Sequence, residues 1–268
     1  MGKLNDISVM CPFLKCFKFP LYTCLANAQV NDGPVVLDEI AKEDLCIWER
    51  FLLDEKEMPI CHEYVSPPLC CKSFTSDAAG SNSNSKWKIG CGSVGFDHNG
   101  EIIFAYQMFW PQGILEKAYD AKNSNLGSKT MTLEFLGILI PFLIIPESLK
   151  NQHVVVKVDN AGCFFGWLNK KTSGDVMASI LIRTLHVIAY YLECIVHIEH
   201  LPRKSSWDAM LTDRLSREKT TTRQDRALLS SFKLPDIPLV LQQWLESPTE
   251  DWELPMKLLY YVKNKCEN

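Results

Sequence analysis

The stretch from Val154 to Asn160 constrains the fold more than any other part of the sequence. It reads Val-Val-Val-Lys-Val-Asp-Asn, and four of its first five residues are β-branched and apolar. A continuous apolar run of this kind is typical of a strand buried on both faces in the middle of a mixed sheet. Asp159 follows at the C-terminal end of this strand, where open α/β sheets place their ligands. Taken alone, this aspartate is either a helix cap, which is the commoner reason for it, or a metal ligand.

The length and composition indicate an ordinary globular protein. The chain has 268 residues, of which 47% are hydrophobic and 22% are charged, and this suits one or two domains with a sizeable core. The net charge of −4 does not indicate a polyanionic partner for the chain as a whole. Residues 203–226 nevertheless carry seven basic residues against four acidic ones, which predicts a local basic patch.

Cysteine usage and hydropathy bear on the compartment. The eleven cysteines are odd in number and form no Cys-x-x-Cys pair, so reduced thiols are favoured over disulfides or a zinc site. The longest apolar run, residues 135–145, is too short to span a bilayer and contains Pro141. With no targeting segment visible, we expect a protein of the cytoplasm or nucleus that makes no membrane contact.

Periodicity predicts an alternation of strands and helices in the middle of the chain. Three apolar runs that form a meander are followed by a largely buried helix, and Pro141 is expected to kink or end that helix. The predicted strands are 73–80, 87–96, 101–110, 154–158 and 194–200, and the predicted helices are 130–143, 161–171, 176–193 and a last one within 201–217. Residues 111–129 are predicted to be a loop. Glu134 lies in the most apolar of these helices, and we expect a positive group to face it unless it is exposed.

Four carboxylates lie at the end of the first strand, within the first helix, at the end of the fourth strand and in the last helix. In this order, and with the residues around them, they carry a specific resemblance to a known family. The pieces that carry it are Phe74-Thr-Ser-Asp77-Ala-Ala-Gly80, Leu133-Glu134-Phe-Leu-Gly, Val156-Lys-Val-Asp159-Asn160 and His200-Leu-Pro-Arg … Asp213-Arg-Leu-Ser-Arg217. They resemble the ribonuclease H domain of retroelement reverse transcriptases, in particular of retrotransposons that encode a tyrosine recombinase. The resemblance covers residues 73–218, about half of the chain.

The resemblance implies an α/β fold, namely a ribonuclease H-like five-stranded mixed sheet with three antiparallel and then two parallel strands, flanked by helices. It also implies a magnesium-dependent endonuclease that hydrolyses the RNA strand of RNA/DNA hybrids. Two magnesium ions, with manganese as the alternative, would neutralise the phosphate and generate the attacking water. By resemblance, Asp77 bridges both ions, Glu134 and Asp159 complete one site, and Asp213 serves the other. Such a cluster repels itself without metal, so raised carboxyl pKa values are expected.

The last helix holds a second aspartate that competes for the fourth ligand position. Asp208 and Asp213 are five positions apart, about 140° around a helix, so only one of them can face the metals. Asp213 has the family context, although it follows His200 by a few positions more than in the commoner form of the motif. Asp208 suits the first turn, where a carboxylate meets the positive end of the helix dipole. We therefore predict Asp213 as the ligand.

Substrate contacts are expected to go to phosphate and sugar, because a hybrid is recognised by its shape and its 2′-hydroxyl groups. The candidates, each equally well explained as solvated surface, are Asn160, Lys170, Lys171, Arg203 and Lys204.

The segments on either side of residues 73–218 resemble the sequence that adjoins this domain in such polyproteins. Residues 1–72 are predicted to be a connection segment with one amphipathic helix, and residues 219–268 a polar and amphipathic tail. No Asp-Asp pair occurs, so a polymerase partner domain would lie elsewhere on a longer chain. Two alternatives stay open at this point: a non-catalytic nucleic-acid-binding or structural module from a decayed or host-adopted element, and another ribonuclease H-like nuclease or transposase that acts on DNA.

Overall fold

A computed structural model describes residues 12–53, 71–80, 87–118, 130–170, 172, 175–202 and 206–267. Its contacts divide the chain into two compact units, Met1–Val65 and Ser66–Asn268. Within the described ranges, no helix is both long and apolar enough to cross a bilayer.

The first unit is helical. It contains a 3-10 helix, Pro12–Phe17, followed by α1 (Phe19–Val30) and α2 (Glu39–Leu53). The amphipathic helix predicted in this segment is α2, which buries Ile47, Trp48 and Phe51 on one face. Helix α1 could not be predicted from periodicity, because its apolar residues do not concentrate on one side. The Trp48 indole donates a hydrogen bond to the Phe17 carbonyl, so α2 also holds the 3-10 helix in place.

The second unit contains five strands and nine helices in its described residues. The strands are β1 (Lys72–Ala78), β2 (Gly90–Phe96), β3 (Ile102–Phe109), β4 (His153–Val158) and β5 (Ile195–His200). The helices are α3 (Gln112–Ala118), α4 (Thr130–Ile144), α5 (Pro146–Leu149), α6 (Ala161–Asn169), α7 (Val176–Tyr191), α8 (Trp207–Leu215), α9 (Arg223–Ser231), α10 (Leu239–Glu246) and α11 (Leu254–Glu267).

The strands form one sheet in the order β3-β2-β1-β4-β5. Strands β1, β2 and β3 pair antiparallel, whereas β4 pairs parallel with both β1 and β5. With helices on both faces, this confirms the predicted ribonuclease H-like mixed sheet. The pairing of Thr75 with Lys157 brings the C-terminal ends of β1 and β4 to the same edge.

Helices cover opposite faces of the sheet. Phe74 and Ser76 point to the face where α4 packs, because Phe74 contacts Phe142 and a Cβ on Gly137 would lie 2.8 Å from the Ser76 hydroxyl. Val94 belongs to the other face, where it meets Leu211 and Leu215 of α8. Strand β1 is therefore buried between two layers of helices. Asp77, near the C-terminal end of β1, is buried with it.

Helix α4 continues through Pro141 to Ile144, so Pro141 does not end the helix, and a kink there stays a prediction. Almost all of the helix is enclosed by other elements, and tertiary packing outweighs one missing hydrogen bond. Part of the predicted 111–129 loop is helix α3; there, a Cβ on Gly113 would lie 1.8 Å from the Glu246 carbonyl oxygen, so α3 and α10 approach backbone to backbone. Residues 119–129 lie outside the described part of the chain.

The residues after 218 form helices that complete the main core. Leu241 and Trp244 of α10 and Leu258 and Val262 of α11 belong to the same buried cluster as the sheet, and α11 packs along α7. The compact unit consequently runs to Asn268 and includes residues 219–268, for which a polar and amphipathic tail was predicted.

Candidate active site

Three carboxylates from distant parts of the chain meet at the common edge of β1 and β4. Asp77, Glu134 and Asp159 each offer one oxygen, and these oxygens lie within 4.8 Å of one another. Asp77 and Asp159 are level because each lies two residues beyond the Thr75–Lys157 pair of the parallel ladder. Glu134 arrives from α4, one turn before the glycine at position 137 that permits the close approach of α4 to β1.

Burial and mutual repulsion dominate the electrostatics of this cluster. Asp77 is 4% exposed and Glu134 is 5% exposed. Burial raises the pKa of Asp77, and the charges of Asp159 and Asp213 add to this effect. Burial also raises the pKa of Glu134 well above its ordinary value, with further contributions from Asp77 and Asp159. The raised carboxyl pKa values predicted for the cluster are thus found at these two residues.

The positive charge of Arg217 offsets only part of the repulsion in the cluster, because the pKa of Asp77 stays raised. The described groups that shift the pKa of Glu134 are the carboxylates of Asp77 and Asp159 and two hydrogen-bond partners, Asn160 and the Ala78 backbone, so a positive group facing Glu134 stays a prediction. The Asp77 Oδ2 atom is buried and has no hydrogen-bond partner within the described ranges. Because oxygen atoms are the ligands that magnesium prefers, this donor set fits a hard divalent cation.

Asp213 lies beside the cluster but is not part of the group of three. It lines a small enclosed space together with Asp77 and Asp159. Its carboxylate forms an ion pair with Arg217 one turn further along the chain.

Asp208 points to a different place from Asp213, as the helix geometry requires. It is buried beneath α8, where its Oδ2 accepts a hydrogen bond of 2.5 Å from the Thr75 hydroxyl and lies 3.8 Å from the Lys157 ammonium. Burial acts to raise the pKa of Asp208, but hydrogen bonds from Ser206 and Thr75 and the charge of Lys157 outweigh it and lower the pKa. Asp208 thus ties the start of α8 to the sheet, which is a stronger structural reason than the helix dipole alone.

Asn160, and not Asp159, caps the helix that follows β4. The N-cap of α6 is Asn160, whose side-chain oxygen accepts hydrogen bonds from the backbone of Gly162 at 2.8 Å and Cys163 at 3.3 Å. Its side chain also hydrogen-bonds to Glu134 and thereby lowers the pKa of that residue. Asn160 therefore orients both a helix and a site carboxylate, and Asp159 is not needed as the cap.

The basic candidates for substrate contact fall into two groups. Lys170 is not the exposed contact that the sequence predicts, because it is 3% exposed and its Nζ lies 4.4 Å from the centre of the Trp167 ring. Lys171, Arg203 and Lys204 lie outside the described residues.

Ser216 and Arg217 also act on the site. Both belong to the run Asp213-Arg-Leu-Ser-Arg217, but no role was predicted for either. Ser216 is fully buried, and its side chain hydrogen-bonds to Asp77, which lowers the pKa of that aspartate. The positive charge of Arg217 has the same effect. The signal in the sequence was the run Asp213-Arg-Leu-Ser-Arg217, but which of its side chains face the carboxylates depends on how α8 lies on the sheet.

The raised pKa of Glu134 predicts that Glu134→Gln stabilises the metal-free protein at neutral pH. A carboxyl whose pKa is raised on folding contributes stability that is present below its unfolded pKa of about 4.3 and is lost as the pH rises through the folded value. The neutral amide removes this loss. We expect a gain on the order of 1–3 kcal/mol near pH 7, the usual cost of a poorly solvated buried group.

The measurement is thermal unfolding in a chelator between about pH 4 and pH 8, where each kcal/mol corresponds to roughly 2–4 °C for a unit of this size. Glu250→Gln, at an exposed position, is the control. Wild-type and Glu134→Gln curves that coincide over the whole range would show that ionised Glu134 is not destabilising.

The comparisons with known proteins found similar solved structures only. A ribonuclease H isolated from compost by a metagenomic approach is 14% identical with a TM-score of 0.40, and the match covers 59% of this chain and 98% of that one. The N-terminal ribonuclease H domain of a Mycobacterium tuberculosis protein is 17% identical with a TM-score of 0.35, over 54% and 95% of the two chains. No protein-family model and no curated protein matches the sequence. The fold follows from the strand order and directions described above.

Proposed function

We propose that this protein is a magnesium-dependent endonuclease that hydrolyses the RNA strand of RNA/DNA hybrids and derives from a retroelement reverse transcriptase. The observation that carries the proposal is the convergence of Asp77, Glu134 and Asp159 within 4.8 Å at the end of two parallel strands. These carboxylates, two of them buried, have no structural need to meet, since each raises the free energy of the others. A polymerase domain on a longer chain would be the natural partner.

The residues of the chain hold and orient the metal ligands. Asp77, Glu134 and Asp159 would hold one ion, and Asp77 and Asp213 would hold the other. Asn160 holds Glu134, and Ser216 holds Asp77. When bound, magnesium or manganese would neutralise the phosphate charge and lower the pKa of the attacking water.

Substrate recognition is proposed to rest on phosphate contacts, with Lys171, Arg203 and Lys204 as the candidate cations and the 2′-hydroxyl group distinguishing RNA from DNA. Asn160 remains a candidate, because it is partly exposed and lies beside Glu134.

A cleavage assay on matched RNA/DNA, RNA/RNA and DNA/DNA duplexes, with and without magnesium, tests the proposal. We expect cleavage of the RNA strand of the hybrid alone, and only with the metal. Cleavage of DNA would indicate a ribonuclease H-like enzyme of another specificity. Binding without cleavage at any metal concentration would indicate a non-catalytic module.

The two aspartates of α8 are predicted to affect different properties: Asp213 the cleavage rate, and Asp208 the stability. At saturating magnesium, Asp213→Asn should reduce cleavage by about 100-fold or more, equivalent to ~2.7 kcal/mol of transition-state stabilisation. Asp208→Asn should retain most of the activity but lower the free energy of unfolding by about 1–3 kcal/mol, because it weakens the buried contacts with Thr75 and Lys157.

Initial cleavage rates and denaturant unfolding of both variants separate these effects. An inactive Asp208→Asn enzyme beside an active Asp213→Asn enzyme would show that the wrong aspartate of α8 has been assigned to the metals.

A further inference from the structure

A groove of about 660 Å³ runs along the outer edge of β3. Strand β2 lies between β3 and β1, the strand that carries Asp77. One wall is residues 105–108 of β3, and the other is formed by residues 229–237 and by α10. Strand β3 is the last strand in the sheet order, so no described strand pairs with its outer edge. An edge of this kind, which forms no ladder with a described strand, can pair with a strand of another chain.

The opposite wall cannot close onto β3 as a sixth strand. Residues 232–238, which connect α9 to α10, form neither helix nor strand. Pro235 and Pro238 lack a backbone N–H, and a central ladder tolerates proline poorly. The two prolines therefore disfavour pairing of this wall with β3.

The side chains of the groove favour a particular chemistry. Met108, Leu234 and Ile237 provide apolar surface, whereas the charged residues that line it are Asp236 and Glu246, with no lysine or arginine among the lining residues. Both acidic residues are exposed, and neither forms an ion pair within the described part of the chain. Asp236 lies near the Tyr106 phenol, because its charge adds to burial and Cys91 in raising the pKa of Tyr106.

We propose that this groove binds an extended peptide segment that pairs with the outer edge of β3 and places a basic side chain against Asp236 and Glu246. Strand addition supplies backbone hydrogen bonds, and pockets for alternate side chains supply specificity. The two carboxylates disfavour a nucleic acid, because a polyanion needs cations along its path. This surface is separate from the proposed cleavage site and does not depend on it.

The probe is a short fluorescein-labelled peptide of alternating valine and lysine, compared with the same peptide carrying glutamate for lysine. We expect the lysine peptide to raise fluorescence anisotropy on titration with the full chain, and the glutamate peptide to bind about tenfold more weakly or less. Two further lysine peptides carry N-methyl groups on alternate residues, in either register. One register should lose binding and the other retain it, because alternate residues of a strand donate to its neighbour.

Asp236→Lys and Glu246→Lys should each weaken binding of the lysine peptide by about tenfold and improve binding of the glutamate peptide. Glu250→Lys makes the same charge change at an exposed position outside the groove and should leave both affinities unchanged. Equal binding by wild type and Asp236→Lys, or equal loss in both N-methyl registers, would overturn the proposal. So would self-association of the chain that the lysine peptide does not displace but Asp236→Lys abolishes, because a second copy would then be the occupant.

Discussion

Asp77→Asn is expected to abolish cleavage of an RNA/DNA hybrid while leaving the fold intact. An amide is a poor bridging ligand, and a bound cation supplies several kcal/mol of charge stabilisation, so the rate should fall by about 10³-fold or more. The fold should survive, because Asp77 is a source of repulsion in the metal-free cluster and not of cohesion. The variant should in fact unfold at a slightly higher temperature than wild type in a chelator.

The measurement is the initial cleavage rate at saturating magnesium, with thermal unfolding of the same preparation. Asp236→Asn, at an exposed position outside the site, is the matched control and should cleave like wild type. Isothermal titration with magnesium adds a readout independent of turnover, and the variant should show weakened binding. If Asp77→Asn cut the hybrid at a near wild-type rate, Asp77 would not be a bridging ligand.

Removal of residues 219–268 is expected to destroy cooperative folding of the second unit. The deletion would expose the face of α7 that packs on α11 and would remove Leu241, Trp244, Leu258 and Val262 from the core. Burial of each such side chain contributes about 1.5–3 kcal/mol, so the four together are comparable with the roughly 5–15 kcal/mol that stabilises a whole domain.

Thermal and denaturant unfolding, followed by far-UV and near-UV circular dichroism, measure this effect. Deletion of residues 1–65 is the matched control, because that segment is a separate compact unit, and it should leave one cooperative transition. The resemblance had indicated a domain that ends at residue 218. A cooperative transition for residues 66–218 would show that α9 to α11 are an addition to a self-sufficient core.

Local sequence patterns were sufficient to predict much of the sheet and the three clustered carboxylates, Asp77, Glu134 and Asp159. The apolar run at 154–158 predicts a strand buried on both faces, since it leaves no polar side for solvent. Asp77 and Asp159 each end a strand, and the ends of parallel neighbours must meet at one edge. Glu134 stood out because an ionised carboxylate in so apolar a helix needs a reason.

Other features could be decided only by tertiary packing, because the partners are far apart in the chain. Asp208 is bound to Thr75 across 133 positions, so this contact has no local signal, although the first-turn position of Asp208 already indicated a structural role. Lys170 was predicted to lie on the surface, yet it is buried at the C-terminal end of α6, with its ammonium group over the Trp167 ring. The C-terminal helices are amphipathic in sequence, but that pattern does not name their partner, and they become part of the core because α7 leaves an apolar face for α11. Sequence periodicity reports which side of an element is apolar, but the long-range contacts decide what covers that side.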